Sequence, residues 1–264
     1  MERESATPAH QVEAIGPAEA QAYVEYLASP PGRLRCELLW GNLAAALPRA
    51  GQSRRAPRAL DAGGGSGELA QRLVRLGFDV VLLDSSRAML AQARRRLGTS
   101  VELVHGDLAR TAELLPKRRF EVVVCHLAIE YVADPEAALL ALASVLGPSG
   151  LLSLAFRNAC GEPFKLAAEG DLAGARASLD ADGFATDLLR RRGRLLRIGS
   201  VRRRLRQARL RVFDSAGIRV FPALGPTRWE DQLALERDAA RRPPLRRVAR
   251  YVQLLARREI GAGR

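Results

Sequence analysis

The sequence contains few lysines, cysteines or aromatic residues. Lys117 and Lys165 are its only lysines, so a net charge of +13 comes almost entirely from arginine. The three cysteines are far apart and odd in number, without the C-x-x-C spacing of redox or zinc sites. We therefore predict reduced thiols and no metal site. Aromatic residues make up only 5% of the chain, which gives little support to stacking on exposed bases.

Long apolar runs are also missing. No stretch approaches the roughly 20 apolar residues that span a bilayer, so we predict no membrane segment. Residues 1–10 include Glu2, Arg3 and Glu4 and lack an apolar core, which differs from a secretory signal. The expected localisation is cytoplasmic.

The arginine excess has two interpretations. A strongly basic protein attracts polyanions such as nucleic acid. A GC-rich genome that favours arginine codons explains the same composition without any partner. Residues 187–211 carry eleven arginines and a single acid, so this segment is either a row of phosphate contacts or the solvated face of an amphipathic helix.

With 47% hydrophobic residues, the chain is apolar enough to form a core. We predict a flexible leader over 1–22, a single domain over 23–258 and a tail over 259–264. A helix is expected over 33–47 and a polar linker over 51–57. Short apolar runs then alternate with helical segments, giving strands at 58–61, 79–84, 101–105, 121–126 and 150–156 and helices at 67–76, 86–97 and 135–146.

This alternation predicts an α/β fold with a doubly wound, mostly parallel sheet. Residues 164–179 are expected to be helical and 180–199 irregular. Next we expect a helix over 200–210 with Ser200 as its N-cap, then strands over 211–214 and 218–221. A helix over 227–240 and a last strand over 248–255 complete the prediction. The C-terminal part of the sheet is expected to be antiparallel.

The strongest motif is the glycine turn after the first predicted strand. Asp61 is followed by glycines at 63, 65 and 67, which form D-x-G-x-G-x-G. Residues without Cβ let the backbone turn sharply and approach a ligand, and the helix N-terminus beyond favours a polar or anionic group. Asp84 ends the second predicted strand seventeen residues after Gly67, where a carboxylate accepts both ribose hydroxyls of an adenosine.

Other nucleotide motifs do not fit. A dinucleotide fingerprint needs glycine at 68, where Glu68 stands, and a P-loop needs a lysine that this region lacks. The motif therefore predicts S-adenosylmethionine as cofactor. Gly106 and Asp107 follow the third strand and His126 ends the fourth, at the same edge of the sheet. Asp107 either accepts from the adenine amino group or caps a helix, and His126 is either a site residue or a structural histidine.

The ordered motifs resemble those of the class I methyltransferases, and among them the bacterial tRNA 5-carboxymethoxyuridine methyltransferases. The similar segments are Gly32-Arg33-Leu34-Arg35, Leu60 to Gly65, His126 with Glu130 to Pro135, Ser153 to Phe156, Asn158-Ala159, Gly161, Gly217 to Phe221 and Arg250-Tyr251. The resemblance covers residues 27–257. It implies a Rossmann-like methyltransferase fold, and cofactor contacts by Arg35, Gly63, Gly64, Gly65, Asp84, Gly106, Asp107 and His126.

In this resemblance Arg35 holds the methionine carboxylate, which suits a bidentate guanidinium. The methyl acceptor is implied to be a carboxylate, already anionic and in no need of a general base. We nominate Arg219 to hold it and Tyr131 to donate a hydrogen bond, although a solvated Arg219 and a Tyr131 used in packing fit the sequence as well.

Three functions are compatible with these residues. The first is a carboxyl methyltransferase that acts on tRNA. The second is a methyltransferase of a small metabolite, favoured by two departures from the family pattern, Cys160 in place of histidine and Tyr131 in place of tryptophan. The third is a module that binds S-adenosylmethionine or nucleic acid without turnover, against which the intact glycine motif and Asp84 count.

Overall fold

A computed structural model of the chain describes residues 15–48, 55–222 and 227–258. Its main feature is a seven-stranded sheet, with a separate two-stranded hairpin. The strands are β1 (Arg58–Ala62), β2 (Asp79–Asp84), β3 (Glu102–His105), β4 (Phe120–His126), β5 (Leu146–Arg157), β6 (Gly183–Thr186), β7 (Arg191–Arg194), β8 (Leu210–Ile218) and β9 (Tyr251–Arg258).

The strand order confirms the predicted fold class. The sheet runs β3-β2-β1-β4-β5-β9-β8, with β1 to β5 parallel and β9 antiparallel to both of its neighbours. The order reverses between β1 and β4, and an open parallel sheet binds ligands beyond the carboxyl ends of the strands at such a point.

The helices of the described residues cover both faces of the sheet. They are α1 (Pro17–Ala28), α2 (Pro30–Ala44), α3 (Glu68–Arg75), α4 (Arg87–Leu97), α5 (Thr111–Leu114), α6 (Pro135–Ser144), α7 (Glu162–Ala168), α8 (Leu172–Ser178), α9 (Ile198–Gln207), α10 (Trp229–Ala240) and α11 (Pro243–Val248). None of the helices described here is long and apolar enough to cross a membrane.

The core lies on both sides of the sheet because alternate side chains of a strand point to opposite faces. In β4, Val123 and Cys125 pack with α6 and α9, whereas Val122 and Val124 pack with α3 and α4. Each fully buried leucine of these clusters contributes about 1.5–3 kcal/mol to folding. This double burial holds the strand ends, and hence the site, in fixed positions.

The predicted leader is wrong over residues 17–22. Helix α1 begins at Pro17, whose ring suits a first helical turn, and its Ala20 is fully buried against Met89 of α4. Small alanines gave no clear apolar stripe, so the sequence did not reveal this helix. Residues 1–14, the tail 259–264 and most of the predicted linker lie outside the described residues.

The second half differs most from expectation. The segment predicted to be irregular forms the β6–β7 hairpin, paired from Gly183↔Arg194 to Thr186↔Arg191. The helix predicted over 164–179 is split into α7 and α8 at Gly170, which has φ +84°. Helix α9 begins at Ile198, so Ser200 is not its N-cap. The predicted strand 211–214 lies within β8, which continues to Ile218, whereas residues 219–221 of the second predicted strand lie outside it.

Candidate functional site

The glycine turn joins β1 to α3 at the carboxyl edge of the sheet. Gly63, Gly65 and Gly67 have φ of +72°, +55° and +83°, a region that other residues rarely adopt. A Cβ on Gly63 would lie 2.3 Å from that of Ala128. The N–H groups of Gly63 and Gly64 donate to the carbonyl of Leu83 at 2.7 and 3.2 Å. The turn is therefore held against β2, with its backbone open to a ligand.

Asp84 ends β2 beside this turn and is anchored through both carboxyl oxygens. Gly65 N–H donates to its Oδ2 at 2.9 Å, and Ser86 N–H donates to its Oδ1 at 2.8 Å. Burial raises the pKa of Asp84, and these two donors oppose the rise. Each oxygen keeps acceptor capacity for a further donor, which is what a pair of ribose hydroxyls requires.

Gly106 and Asp107 follow β3 next to Asp84. Gly106 N–H donates to the Asp84 carbonyl at 3.0 Å, and a Cβ at this glycine would lie 2.3 Å from Leu114. Asp107 caps the following turn, since its Oδ1 accepts from Ala109 N–H at 2.7 Å. Asp107 therefore has the capping role that the sequence analysis left open. The side chain is exposed, and its other carboxyl oxygen accepts no hydrogen bond within the described residues.

A small cavity of about 80 Å³ lies on the other side of the turn. Its wall includes Gly63 and Gly64, Arg35 of α2, Asp61 of β1 and His126 of β4. The structure therefore brings together four of the residues predicted to contact the cofactor. Tyr23, Cys36 and Glu68, like Asp61, line this cavity without having been predicted to contact the cofactor.

Arg35 and Asp61 each have one buried atom without a hydrogen-bond partner. These atoms are Nε of Arg35 and Oδ2 of Asp61, in side chains that are 7% and 3% exposed. The guanidinium of Arg35 donates to the Tyr23 hydroxyl at 3.1 Å and lies over the ring of Tyr26. An unpaired buried donor and an unpaired buried acceptor are costly, and together they match the carboxylate and the ammonium of an amino acid.

Asp61 is only partly stabilised as an anion by the protein. Burial raises its pKa to about 7, a backbone hydrogen bond from Ala70 opposes the rise, and Asp84 and Glu68 add to it. No salt bridge to Asp61 is formed within the described residues. A bound ammonium would therefore supply the counter-charge that this carboxylate lacks.

His126 belongs to a buried polar network. Its Nε2 lies 2.8 Å from Oγ of Ser153, and Gln253 donates to that same Oγ at 2.9 Å and to the Leu39 carbonyl at 3.1 Å. Burial, aided by the charge of Arg35, lowers the pKa of His126 to about 3. The imidazole is therefore neutral at ordinary pH, and the network fixes its orientation in the cavity wall.

A larger cleft of about 1070 Å³ lies between the β6–β7 hairpin and the turn after β4. Glu130 and Tyr131 form one wall, and Phe184 and Arg191 of the hairpin belong to the other. The Tyr131 and Phe184 rings meet edge to face at 5.7 Å, and the Arg191 guanidinium lies 5.2 Å from the Tyr131 ring centre. Tyr131 is thus both packed against the hairpin and present in the cleft wall.

Arg219 lies elsewhere, directly after β8, and lines neither cavity. It is 9% exposed and has φ +55°, a strained conformation for a residue with a side chain. Its carbonyl accepts from Arg250 N–H at 3.1 Å. Glu236 of α10 fixes the turn by accepting from Val220 and Phe221 N–H at 2.7 and 3.1 Å.

Arginines surround Tyr251 at the start of β9. Burial would raise the pKa of this tyrosine, but the charges of Arg250, Arg35, Arg157 and Arg219 hold it below its usual value. Nε of Arg250 is buried and unpartnered. Arg219 therefore belongs to a cationic group around Tyr251, together with arginines that the sequence analysis did not single out.

Comparison with known proteins identifies the central part of this sheet. Residues 59–150, which contain the glycine turn, Asp84, Asp107 and His126, match the family model described as "Methyltransferase domain". This part of the chain is similar to a methyltransferase domain. This match supports the enzyme class and S-adenosylmethionine as cofactor, both of which were predicted from the glycine motif.

Two groups of sequence relatives share this methyltransferase domain. The tRNA 5-carboxymethoxyuridine methyltransferase of Escherichia coli is 35% identical over 135 residues, which are 49% of this chain and 51% of that protein. A ubiquinone biosynthesis O-methyltransferase of Bradyrhizobium diazoefficiens is 32% identical over 113 residues, 43% of this chain and 45% of that protein. The chain thus spans about half the length of the curated relatives it matches.

Solved structures show the same fold. An S-adenosylmethionine dependent methyltransferase of Mesorhizobium loti has a TM-score of 0.60 and 24% identity, covering 83% of this chain and 97% of its own. The magnesium protoporphyrin IX methyltransferase of Synechocystis, with bound S-adenosylhomocysteine, has a TM-score of 0.60 and 16% identity, covering 90% of this chain and 94% of its own. The fold is that of the class I methyltransferases.

Sequence reasoning missed several residues of the site. Asp61 was part of the quoted motif but was given no role, and Glu130, Arg157 and Arg250 were not nominated. For Asp61 and Glu130 the signal was present, because a carboxylate within an apolar strand or turn is rarely buried without a reason. Tyr23 had no such signal, since it belongs to α1, a helix whose first six residues were predicted to be part of a flexible leader.

Proposed function

We propose that this chain is an S-adenosylmethionine-dependent O-methyltransferase that esterifies a carboxylate, and that the carboxylate belongs to a carboxymethoxyuridine of tRNA. The observation that carries the proposal is the group of arginines around Tyr251. The charges of Arg250, Arg35, Arg157 and Arg219 all lower the pKa of this tyrosine, so its surroundings favour an anion. The matched tRNA methyltransferase of E. coli supports the choice of acceptor.

The small cavity and the neighbouring strand ends together fit the cofactor. Outside the cavity, Asp84 would accept the ribose hydroxyls, Gly106 would lie against the adenine and Asp107 would accept from its amino group. Arg35 and Asp61 would satisfy their unpartnered atoms on the carboxylate and ammonium of the methionine part. When bound, the cofactor supplies a sulfonium methyl carbon, which an acceptor oxygen takes over as the C–S bond breaks and its electron pair remains on sulfur.

The protein's contribution to this displacement is alignment. A carboxylate acceptor is already ionised, so the site needs to hold it in line with the methyl carbon rather than remove a proton. Arg250, with its free Nε, and Arg219 beside it are the residues proposed to hold the anion, and Tyr131 is proposed to donate a hydrogen bond from the cleft wall. His126, neutral and tied to Ser153, has no part as a base.

A basic surface favours tRNA over other carriers of a carboxylate. In α9, Val201 and Leu205 are buried while Arg203 and Arg206 are exposed. Burial lowers the pKa of Arg246 in α11, and nearby Arg202 lowers it further, so the arginines of α9 and α11 lie close to one another. Although Arg204 pairs with Glu136, the remaining close group of cations is suited to successive phosphates.

The second candidate is a methyltransferase of a small metabolite. The observation in its favour is the size of the larger cleft between the β6–β7 hairpin and the turn after β4. A cleft of about 1070 Å³ is sufficient for a small acceptor as well as for one nucleotide.

Methyl-labelled S-adenosylmethionine tests the proposal. The protein is incubated with bulk tRNA or, separately, with a panel of small carboxylates and hydroxyl compounds. We expect label in tRNA that is released as methanol by mild base, as a carboxyl ester requires. Base-stable label, or label only in the small compounds, rejects the tRNA ester and selects the second candidate. A protein that binds cofactor but labels nothing is a binding module.

A further inference from the structure

Glu130 is a buried carboxyl that no feature of the fold requires. Its side chain is 2% exposed, and it lies in the short turn between β4 and α6. Oε1 accepts from Arg157 N–H at 3.3 Å, whereas Oε2 is buried without a partner. An unsatisfied buried oxygen costs free energy, so its retention points to a ligand.

The position of Glu130 indicates which ligand it meets. His126 and Leu127 line the small cavity beside Gly63 and Arg35, and Glu130 and Tyr131 line the larger cleft. The segment 126–131 therefore passes from one cavity to the other. Because the acceptor must reach the methyl group from outside the cofactor site, the larger cleft is the acceptor's side.

Among the described residues no ion pair to Glu130 is formed. Arg157, whose charge favours the ionised form of Glu130, is committed to Glu162 at 2.8 Å, and its guanidinium lies 3.9 Å from the Phe184 ring centre. The other charged or titratable groups that face Glu130 are Arg35 of α2, Cys125 of β4 and Tyr131 of its own turn. Burial raises the pKa of Glu130 to about 7 despite the two arginines.

We propose that Glu130 binds the acceptor in its protonated form, donating a hydrogen bond from Oε2 to an oxygen of the acceptor carboxylate. The inference rests on the proposed function, because only an anionic acceptor favours a neutral acid over an ionised one beside it. The proton remains on Glu130 throughout, and the acceptor's other oxygen is the one that is methylated. Glu130 thereby selects for acceptors that carry a carboxylate.

The direction of the pH profile distinguishes this donor from a general base. With cofactor saturating, kcat/KM for a carboxylate acceptor is expected to fall about tenfold per pH unit above pH about 7, as Glu130 ionises. A base that activates a hydroxyl requires the opposite slope, a rise up to the same pH.

Glu130→Gln supplies the matched variant, because its amide donates at every pH. We expect kcat/KM within about fivefold of the native value at pH 6 and no fall above pH 7. Glu130→Ala should lose tenfold or more, mostly in KM. Glu136→Gln, an exposed carboxylate of α6 paired with Arg204, is the control and should keep the native profile. An unchanged melting shift with S-adenosylhomocysteine shows that each variant retains its cofactor site.

Two results overturn the inference. If Glu130→Gln loses a hundredfold and native activity rises with pH, Glu130 is a base for a hydroxyl. If Glu130→Ala forms the base-labile ester at the native rate and pH profile, Glu130 does not touch the acceptor, while the ester itself upholds the proposed function. Absence of any base-labile label rejects the proposed function instead.

Discussion

Gly65 donates its backbone N–H to the Asp84 carboxylate at 2.9 Å, which ties the glycine turn of β1 to the end of β2. One carboxylate thus shapes the turn and, in the proposed site, would accept the ribose hydroxyls. We predict that Asp84→Ala abolishes most of the melting-temperature increase that S-adenosylhomocysteine gives, since a ligand stabilises only the state that binds it. Asp79→Ala, at the exposed opposite end of β2, serves as control. Equal shifts in both variants would remove Asp84 from the site.

Asp61 is predicted to reduce stability in the absence of cofactor. Its folded pKa of about 7 exceeds its ordinary value of 3.8, so the folded state binds a proton that the unfolded state has lost between these pH values. Stability due to this group is complete below pH about 4 and is lost as pH rises to about 7, by about 1.4 kcal/mol per pH unit. Asp61→Asn should flatten this slope by one proton in urea unfolding at several pH values.

The same variant is expected to weaken cofactor binding. If the ionised carboxylate holds the ammonium of the methionine part, native affinity for S-adenosylhomocysteine rises as pH passes from 6 to 7.5, and Asp61→Asn loses both the affinity and the pH dependence. Calorimetric titration measures both. Identical pH dependence in native protein and variant would place the ammonium elsewhere.

Arg219 combines a left-handed backbone with a buried side chain, and two variants separate these roles. Both Arg219→Ala and Arg219→Gly should lower turnover strongly with cofactor affinity near native, because both lack the guanidinium. The Arg219→Gly variant should be about 1 kcal/mol more stable to unfolding than Arg219→Ala, since glycine adopts φ +55° without strain. Arg219→Lys should rescue only in part, as an ammonium forms no bidentate fork. Full activity in Arg219→Gly would confine Arg219 to a structural role.

The basic surface of α9 and α11 is tested by comparing two triple variants that each lose three arginines. Changing Arg203, Arg206 and Arg247 to glutamine should weaken tRNA binding and flatten its dependence on salt, without altering methylation of a small carboxylate. Arg204 is left unchanged because it pairs with Glu136. The control replaces Arg87, Arg94 and Arg95 of α4, which packs on the opposite face of the sheet. If both triple variants bind tRNA equally, the surface has no specific role.

Activity is predicted to survive chelators. Within residues 15–48, 55–222 and 227–258, no group of three or more His, Cys, Asp or Glu side chains is placed to hold a metal ion. Alignment by arginines needs no Lewis acid for an anionic acceptor. Loss of activity with a chelator and its return with a divalent cation would contradict this prediction.

The parallel half of the fold was predictable because its signals are local. Buried strands such as β4 are continuous apolar runs, and Ser86 and Asp134 cap α4 and α6 through their own side chains. The glycine turn and Asp84 follow from the same locality. Each of these features depends on neighbours in the chain, so the sequence alone indicates it.

The acceptor side was not predictable because distant segments build it. Arg157, Arg219 and Arg250 come from β5 and from the starts or ends of β8 and β9, and only the antiparallel register brings them around Tyr251. The β6–β7 hairpin has arginines where strands usually carry β-branched residues. It is held by tertiary contacts such as Phe184 against Tyr131, which no periodicity reveals.

The turn of that hairpin also ties the larger cleft to the first helix of the chain. Leu189 is buried against Ala20 of α1 and Met89 of α4, and α4 begins three residues after Asp84. Moving Leu189 into water would cost about 1.5–3 kcal/mol. Any displacement of the hairpin from α1 and α4 carries this cost, so one buried leucine couples the wall of the larger cleft to the end of β2.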